Sequence, residues 1–236
     1  FEDRGLLGRG ATSEVRRVFD PRLNRDIAMK LLRVDTMSRP STLARFVAEA
    51  QTTAQLQHPG ILPVYDIGTT ADGRVYFTMQ EVKGDTLGAL IRALHEASRD
   101  GDWEATDTGW TLRRLVGVFA RVCRAVAYAH QRGVVHRDLK PDNIMVREHG
   151  EVLVVDWGLA KVGVGLDPDE ADDAVRKSPS SRETAYGTVA GTPLYMAPEQ
   201  ARGDVAAIVP ATDVYSLGAI LYEILTGRPP DRKSVV

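Results

Sequence analysis

The apolar pattern of the chain changes period once, near residue 83, and that change restricts the fold to two unlike parts. Before it, short apolar runs such as Ile27-Ala28-Met29-Lys30-Leu31-Leu32 and Val75-Tyr76-Phe77-Thr78-Met79 read as strands around one helical stretch near Leu43 to Leu56. After Lys83-Gly84-Asp85 helical patterns dominate, the clearest of them placing Leu112, Leu115, Val116, Phe119, Val122, Cys123 and Val126 on one face. The expected class is α+β and bilobal, with a β-rich lobe over 1–82 and an α-rich lobe over 83–236. A chain of 236 residues, 43% of them hydrophobic, is long enough to fill either one large core or two small ones.

Two stretches lack a core pattern. Ser98 to Thr111 is rich in Asp, Gly and Thr and reads as an exposed loop. Val164 to Gly187 gathers Asp167, Asp169, Glu170, Asp172 and Asp173 before Ser178, Ser180, Ser181 and Thr184, and is expected to be mobile. Near the end, Val214 to Leu225 is apolar almost all round, which predicts a helix buried on every side. A net charge of -2 and the absence of a Lys/Arg-rich stretch give no basis for nucleic-acid binding. The single cysteine, Cys123, excludes a disulfide framework and suits a reducing compartment. No apolar run approaches the ~20 residues of a membrane-spanning helix. Opening on Phe1 rather than Met, the chain reads as a segment of a longer protein, whose remainder could carry an anchor.

The run His136-Arg137-Asp138-Leu139-Lys140-Pro141-Asp142-Asn143, followed by Asp156-Trp157-Gly158, spaces three oxygen ligands and one ammonium for handling a nucleotide phosphate. Upstream, Gly8-Arg9-Gly10-Ala11-Thr12-Ser13 is a glycine-rich turn whose backbone can approach oxygen atoms closely, although Ser13 stands where a third glycine would fall. Alone, such a turn is a weak signal, since a plain β-turn can carry the same residues. Flanking strand signals suit a hairpin lid better than the strand-to-helix turn of a dinucleotide site. Lys30, set in an apolar strand, costs several kcal/mol unless it is paired.

Together with Thr192-Pro193-Leu194-Tyr195-Met196-Ala197-Pro198-Glu199, these motifs resemble the protein-kinase family, and within it the bacterial Ser/Thr kinases. The resemblance implies ATP and Mg²⁺ as cofactors and a protein Ser/Thr hydroxyl as acceptor. It implies Asp138 as catalytic base, Lys140 beside the γ-phosphate, Asn143 and Asp156 as magnesium ligands, and Lys30 on the α- and β-phosphates with Glu49 as its partner. Around the nucleotide it implies Leu7, Gly8, Gly10, Val15, Ala28 and Met145, with Met79 as gatekeeper and Gln80 to Val82 as the lobe connector. Thr192 would contact Asp138 and Lys140, and Asp213 would anchor the catalytic loop, unless it is only a charge at a helix start. Trp157 replaces the usual Phe. Arg137 would receive a phosphate from Thr184 or Thr188.

Glu199 pairs in that family with an arginine from a later helix, and the family continues with several helices after this point. The α-rich lobe is therefore expected to lack its last helices, and a buried Glu199 without its partner would cost ~3–5 kcal/mol. The uncovered surface could pair two copies as a homodimer. The expected location is the cytoplasm. The rival reading is a pseudokinase or truncated scaffold that binds nucleotide without transfer. A small-molecule kinase is disfavoured by Thr192 to Glu199.

Overall fold

In the computed structural model, described over residues 1–37, 39–98, 102–148, 150–157, 161–162, 193–204 and 206–230, five antiparallel strands form the first sheet. These are β1 (Glu2–Arg9), β2 (Ser13–Asp20), β3 (Arg25–Leu32), β4 (Val64–Thr69) and β5 (Val75–Met79), in the order β1-β2-β3-β5-β4. The period-2 rule assigns the residues to its faces. Val15 lies opposite Lys30, and Ala28 lies opposite both Arg17 and Met79, so these side chains share one face. Val18, Ile27, Met29 and Leu31 form a separate apolar cluster with Tyr76 on the other.

Helix α1 (Pro40–Gln55) crosses the sheet. It begins three residues earlier than the apolar pattern predicts, because Pro40 supplies a ready-made first turn and needs no N–H partner there. Its Phe46 and Ala50, one turn apart, pack on Leu32 and Phe77. That packing fixes the azimuth of Glu49, which lies between them in sequence.

The second part is built on α2 (Leu87–Ala97), α3 (Leu112–Gln131) and a long later helix, α5 (Pro210–Thr226), with a short α4 (Pro198–Ala201) before it. Thr86 and Thr111 cap α2 and α3, their hydroxyls accepting from Ala89 N at 3.2 Å and Arg114 N at 3.3 Å. Small strands, β6 (Gly84–Thr86), β7 (Val134–Val135), β8 (Ile144–Arg147), β9 (Val152–Val154) and β10 (Lys161–Val162), frame the site. One core joins Leu90, Ile91, Leu115, Val122, Ile144 and Ile220. Gly227 ends α5 at φ 74°, its N–H bonded to Glu223 O at 2.8 Å.

Two sequence expectations need correction. Val116 is exposed, and Val118, Ala125 and Ala129 fill the buried stripe of α3 with Leu115 and Val122. A single 100° step separates Val116 from Leu115, enough to carry it off the stripe. Helix α5 is not buried on every side: Val214, Tyr222 and Leu225 are exposed, while Thr212, Asp213, Ser216 and Glu223 are buried. Polar side chains occupy part of the inner face because each has a specific partner there.

Candidate active site

Asp213, with no exposed side-chain surface, sits in the first turn of α5. A carboxylate there is stable only if its lone pairs are filled. Its Oδ2 accepts from His136 N at 2.8 Å and contacts His130 Nε2 at 2.7 Å, and its Oδ1 accepts from Arg137 N at 2.9 Å. Two successive backbone amides of the catalytic loop are thus tied to one helix. The loop pays with Arg137 at φ 71°, a left-handed conformation that no glycine relieves. The buried ring of His136 completes the brace: its Nδ1 accepts from Asp138 N at 3.2 Å, so Nε2 carries the hydrogen and donates to Val155 O at 3.2 Å. Burial pushes its pKa down and keeps it neutral. Trp157 is buried against that ring at 4.5 Å, so the indole serves as an apolar anchor beside Asp156.

On this brace Asp138 projects a carboxylate whose Oδ2 accepts from Lys140 Nζ at 2.7 Å and Asn143 Nδ2 at 3.2 Å. Asn143 Nδ2 also donates to Asp138 O at 2.8 Å. Both amide hydrogens therefore face Asp138, which turns the amide oxygen away from it. Val155 N donates to Asn143 O at 3.0 Å, bringing the strand that leads to Asp156 alongside the loop.

Across the cleft, Lys30 Nζ contacts Glu49 Oε1 at 2.5 Å and Asp156 Oδ1 at 3.5 Å. Three elements far apart in sequence meet at one ammonium. Burial alone would depress the Lys30 pKa, but the two carboxylates hold it above its ordinary value. Burial likewise works to raise Asp156, yet Lys30, with Lys140 behind it, keeps that carboxyl below its usual range. Asp156 adopts φ 64°, a second strained non-glycine backbone. Its side chain remains 48% exposed, so an anionic oxygen stays open to the cleft.

The amide oxygen of Asn143 and the carboxylate of Asp156 are hard donors of the kind Mg²⁺ takes, and two of them suit an ion that keeps waters and shares phosphate oxygens. The residues fit that metal, and Asn143 and Asp156 would hold it. Val15, Ala28 and Met79 share the Lys30 face of the sheet, while the half-exposed Leu7 and Gly8 lie near the end of β1, Gly10 lies in the turn that follows, and Met145 lies on β8. The glycine turn is closed by Gly10 N donating to Ser13 O at 2.8 Å, and Ser13 is buried. Gln80 N donates to Pro63 O at 3.3 Å. Val82 follows in the connector. Thr192, Thr184 and Thr188 lie outside the described residues.

Glu199 differs from expectation. It is only half-buried rather than buried, and its Oε1 accepts from Thr212 Oγ1 of α5 at 2.6 Å. Sequence reasoning also missed Gln200, whose Nε2 donates to Arg137 O at 2.6 Å, and the buried Tyr195, whose hydroxyl donates to the Glu223 carboxylate. No spacing rule signals either pair, since each joins segments that meet only after folding.

A lid hairpin, a strand lysine paired to a helix glutamate, and a braced acid loop facing a second carboxylate define a phosphoryl-transfer scaffold, and residues 1–235 match the protein kinase domain; the chain belongs to the protein kinase family. Among its curated relatives it is 43% identical over 98% of its length to the serine/threonine-protein kinase PknD of Protochlamydia amoebophila. It is 38% identical over 97% to PknD of Chlamydia pneumoniae, and 40% identical over 95% to PknB of Mycobacterium tuberculosis strain H37Rv. The chain spans 23%, 24% and 32% of those relatives, respectively.

Proposed function

We propose that the chain is the catalytic domain of a Ser/Thr protein kinase that transfers the γ-phosphoryl group of ATP to a protein hydroxyl, with Mg²⁺ held by Asn143 and Asp156. The observation that supports this most is the pair of opposed clusters: Lys30 held charged between Glu49 and Asp156, and Asp138 held between Lys140 and Asn143. Magnesium, when bound, supplies charge neutralisation of the triphosphate. Lys30 binds the α- and β-phosphates, Asp138 takes the acceptor hydroxyl proton, and Lys140 offsets charge on the γ-phosphoryl oxygens. The connector's backbone and the walls Val15, Ala28 and Met145 take the adenine, and Thr192 closes the acceptor side. ATP chemistry of this kind belongs in the cytoplasm.

Incubation with radiolabelled Mg-ATP and a generic Ser/Thr protein substrate tests it. Transfer to Ser or Thr is expected. Asp138→Asn should keep nucleotide binding and lower transfer by about 10²–10⁴-fold, the usual worth of a general base. Nucleotide binding by the parent with no transfer under any condition would favour the pseudokinase reading.

Arg137 supports a regulatory reading. Its guanidinium is largely buried, and its Nε has no hydrogen-bond partner among the described residues. A buried cation of this kind is matched by an anion, and a phosphate on Thr184 or Thr188 would supply one through charge-assisted hydrogen bonds. Mass spectrometry after incubation with Mg-ATP should find phosphate between Ser178 and Thr188; its absence there would remove the idea.

A further inference from the structure

The connector between the two parts is held at three points. At its start, Gln80 N donates to Pro63 O at 3.3 Å. At its end, Gly84 adopts φ 152°, with the position of a Cβ only 2.2 Å from Val146 O, so the backbone lies directly against β8. Between these, Glu81 reaches back to β2. Arg17 Nε donates to Glu81 Oε1 and Oε2, each at 3.0 Å, and Arg17 Nη2 donates to Oε1 at 2.5 Å. Glu81 is 7% exposed on its side chain and Arg17 is 38% exposed. The fork geometry fixes direction as well as distance.

The route of this contact is specific. Arg17 pairs in register with Ala28, and Ala28 pairs with Met79, so the three stand on one rung of the sheet. Ala28 is small and buried, which leaves the rung low enough for the guanidinium to cross it and meet the chain two residues beyond Met79. Two residues before Arg17, on the same face, is Val15. The tip of the hairpin is secured separately: Thr12 O accepts from Arg33 N at 2.9 Å and Thr36 Oγ1 at 3.0 Å. Among the described side chains, the Arg17 and Glu81 pair is the only hydrogen bond or ion pair between the β1–β2 hairpin and the residues from Gln80 to Gly84.

We infer that Arg17 and Glu81 form a latch that positions the β1–β2 hairpin over bound nucleotide and sets how long the nucleotide stays. The inference rests on the ATP reading above, and the latch acts through Val15 and the connector backbone without touching the reacting atoms. A broken latch frees the hairpin to lift, which weakens nucleotide binding and speeds release, while Lys30, Asp138 and Asn143 keep their own partners.

Stopped-flow release of a fluorescent ADP analogue, with steady-state kinetics in ATP, tests this on the whole chain. Arg17→Ala and Glu81→Gln should each raise the release rate and the KM for ATP about five- to tenfold, the low end of couplings between sites, so that kcat/KM falls through KM. The double variant should be no worse than either single one. Exchange of the charges, Arg17→Glu with Glu81→Arg, should restore much of the lost affinity. Variants that melt earlier but release nucleotide at the parent rate would show a structural bridge and overturn the latch. Additive losses in the double variant would also overturn it. A parent chain that binds no nucleotide overturns the ATP reading and the latch together; a parent that binds, with unchanged variants, overturns the latch alone.

Discussion

Asp213 and Glu49 are both acids on helices facing the site, yet they are neutralised in opposite ways. Asp213 spends its oxygens on two backbone amides and a histidine, groups that cannot turn away without unfolding the loop. Glu49 spends its charge on one flexible ammonium that also faces Asp156. The first arrangement fixes a shape, whereas the second keeps a charge poised for a ligand. Under the proposed function, Asp213 is expected to serve architecture and Glu49 chemistry.

Substitutions can break this contrast. Asp213→Ala leaves two amides and His130 without their acceptor and should cost about 3–5 kcal/mol, with transfer lost as the catalytic loop relaxes; chemical denaturation beside the transfer assay reads both. Lys30→Met with Glu49→Leu should separate the two properties. A buried ion pair exchanged for apolar side chains is often neutral or stabilising by about 1–4 kcal/mol. Stability should therefore hold or rise while ATP-dependent transfer disappears, and a large loss of stability would make Lys30 and Glu49 architectural after all.

The smallest effect concerns pH. His136 is neutral in the fold because burial depresses its pKa below the ordinary 6.5. Below that value the unfolded chain takes a proton that the folded chain refuses, so stability present at higher pH is lost as pH falls. Comparing denaturation at pH 7.5 and 5.5, the parent should lose up to ~1.4 kcal/mol per unit of pH from this group. His136→Asn should be weaker throughout but show a shallower slope. Some slope should persist, because burial lowers His58 as well. An unchanged slope would mean that His136 is charged in the fold.

What could be read in advance follows the same division. The run from His136 to Asn143, with Asp156 and Lys30, stood out because the proposed chemistry needs fixed residue types at short spacings, and the change of apolar period announced a sheet followed by helices. Pairings across long separations were not legible. Thr212 under Glu199, Gln200 on the Arg137 carbonyl and Arg17 on Glu81 join segments whose proximity depends on register and helix rotation. The same lack of tertiary information put Val116 on the wrong face and treated α5 as uniformly apolar surface to be covered.

Arg137 and Asp156 hold left-handed backbones in two segments packed against each other, at a cost of order 1–3 kcal/mol each. A library of this chain selected for heat resistance alone should accordingly drift toward glycine at positions 137 and 156, trading catalysis for a relaxed backbone. Under the proposed function, durability and turnover are set against each other at these two positions.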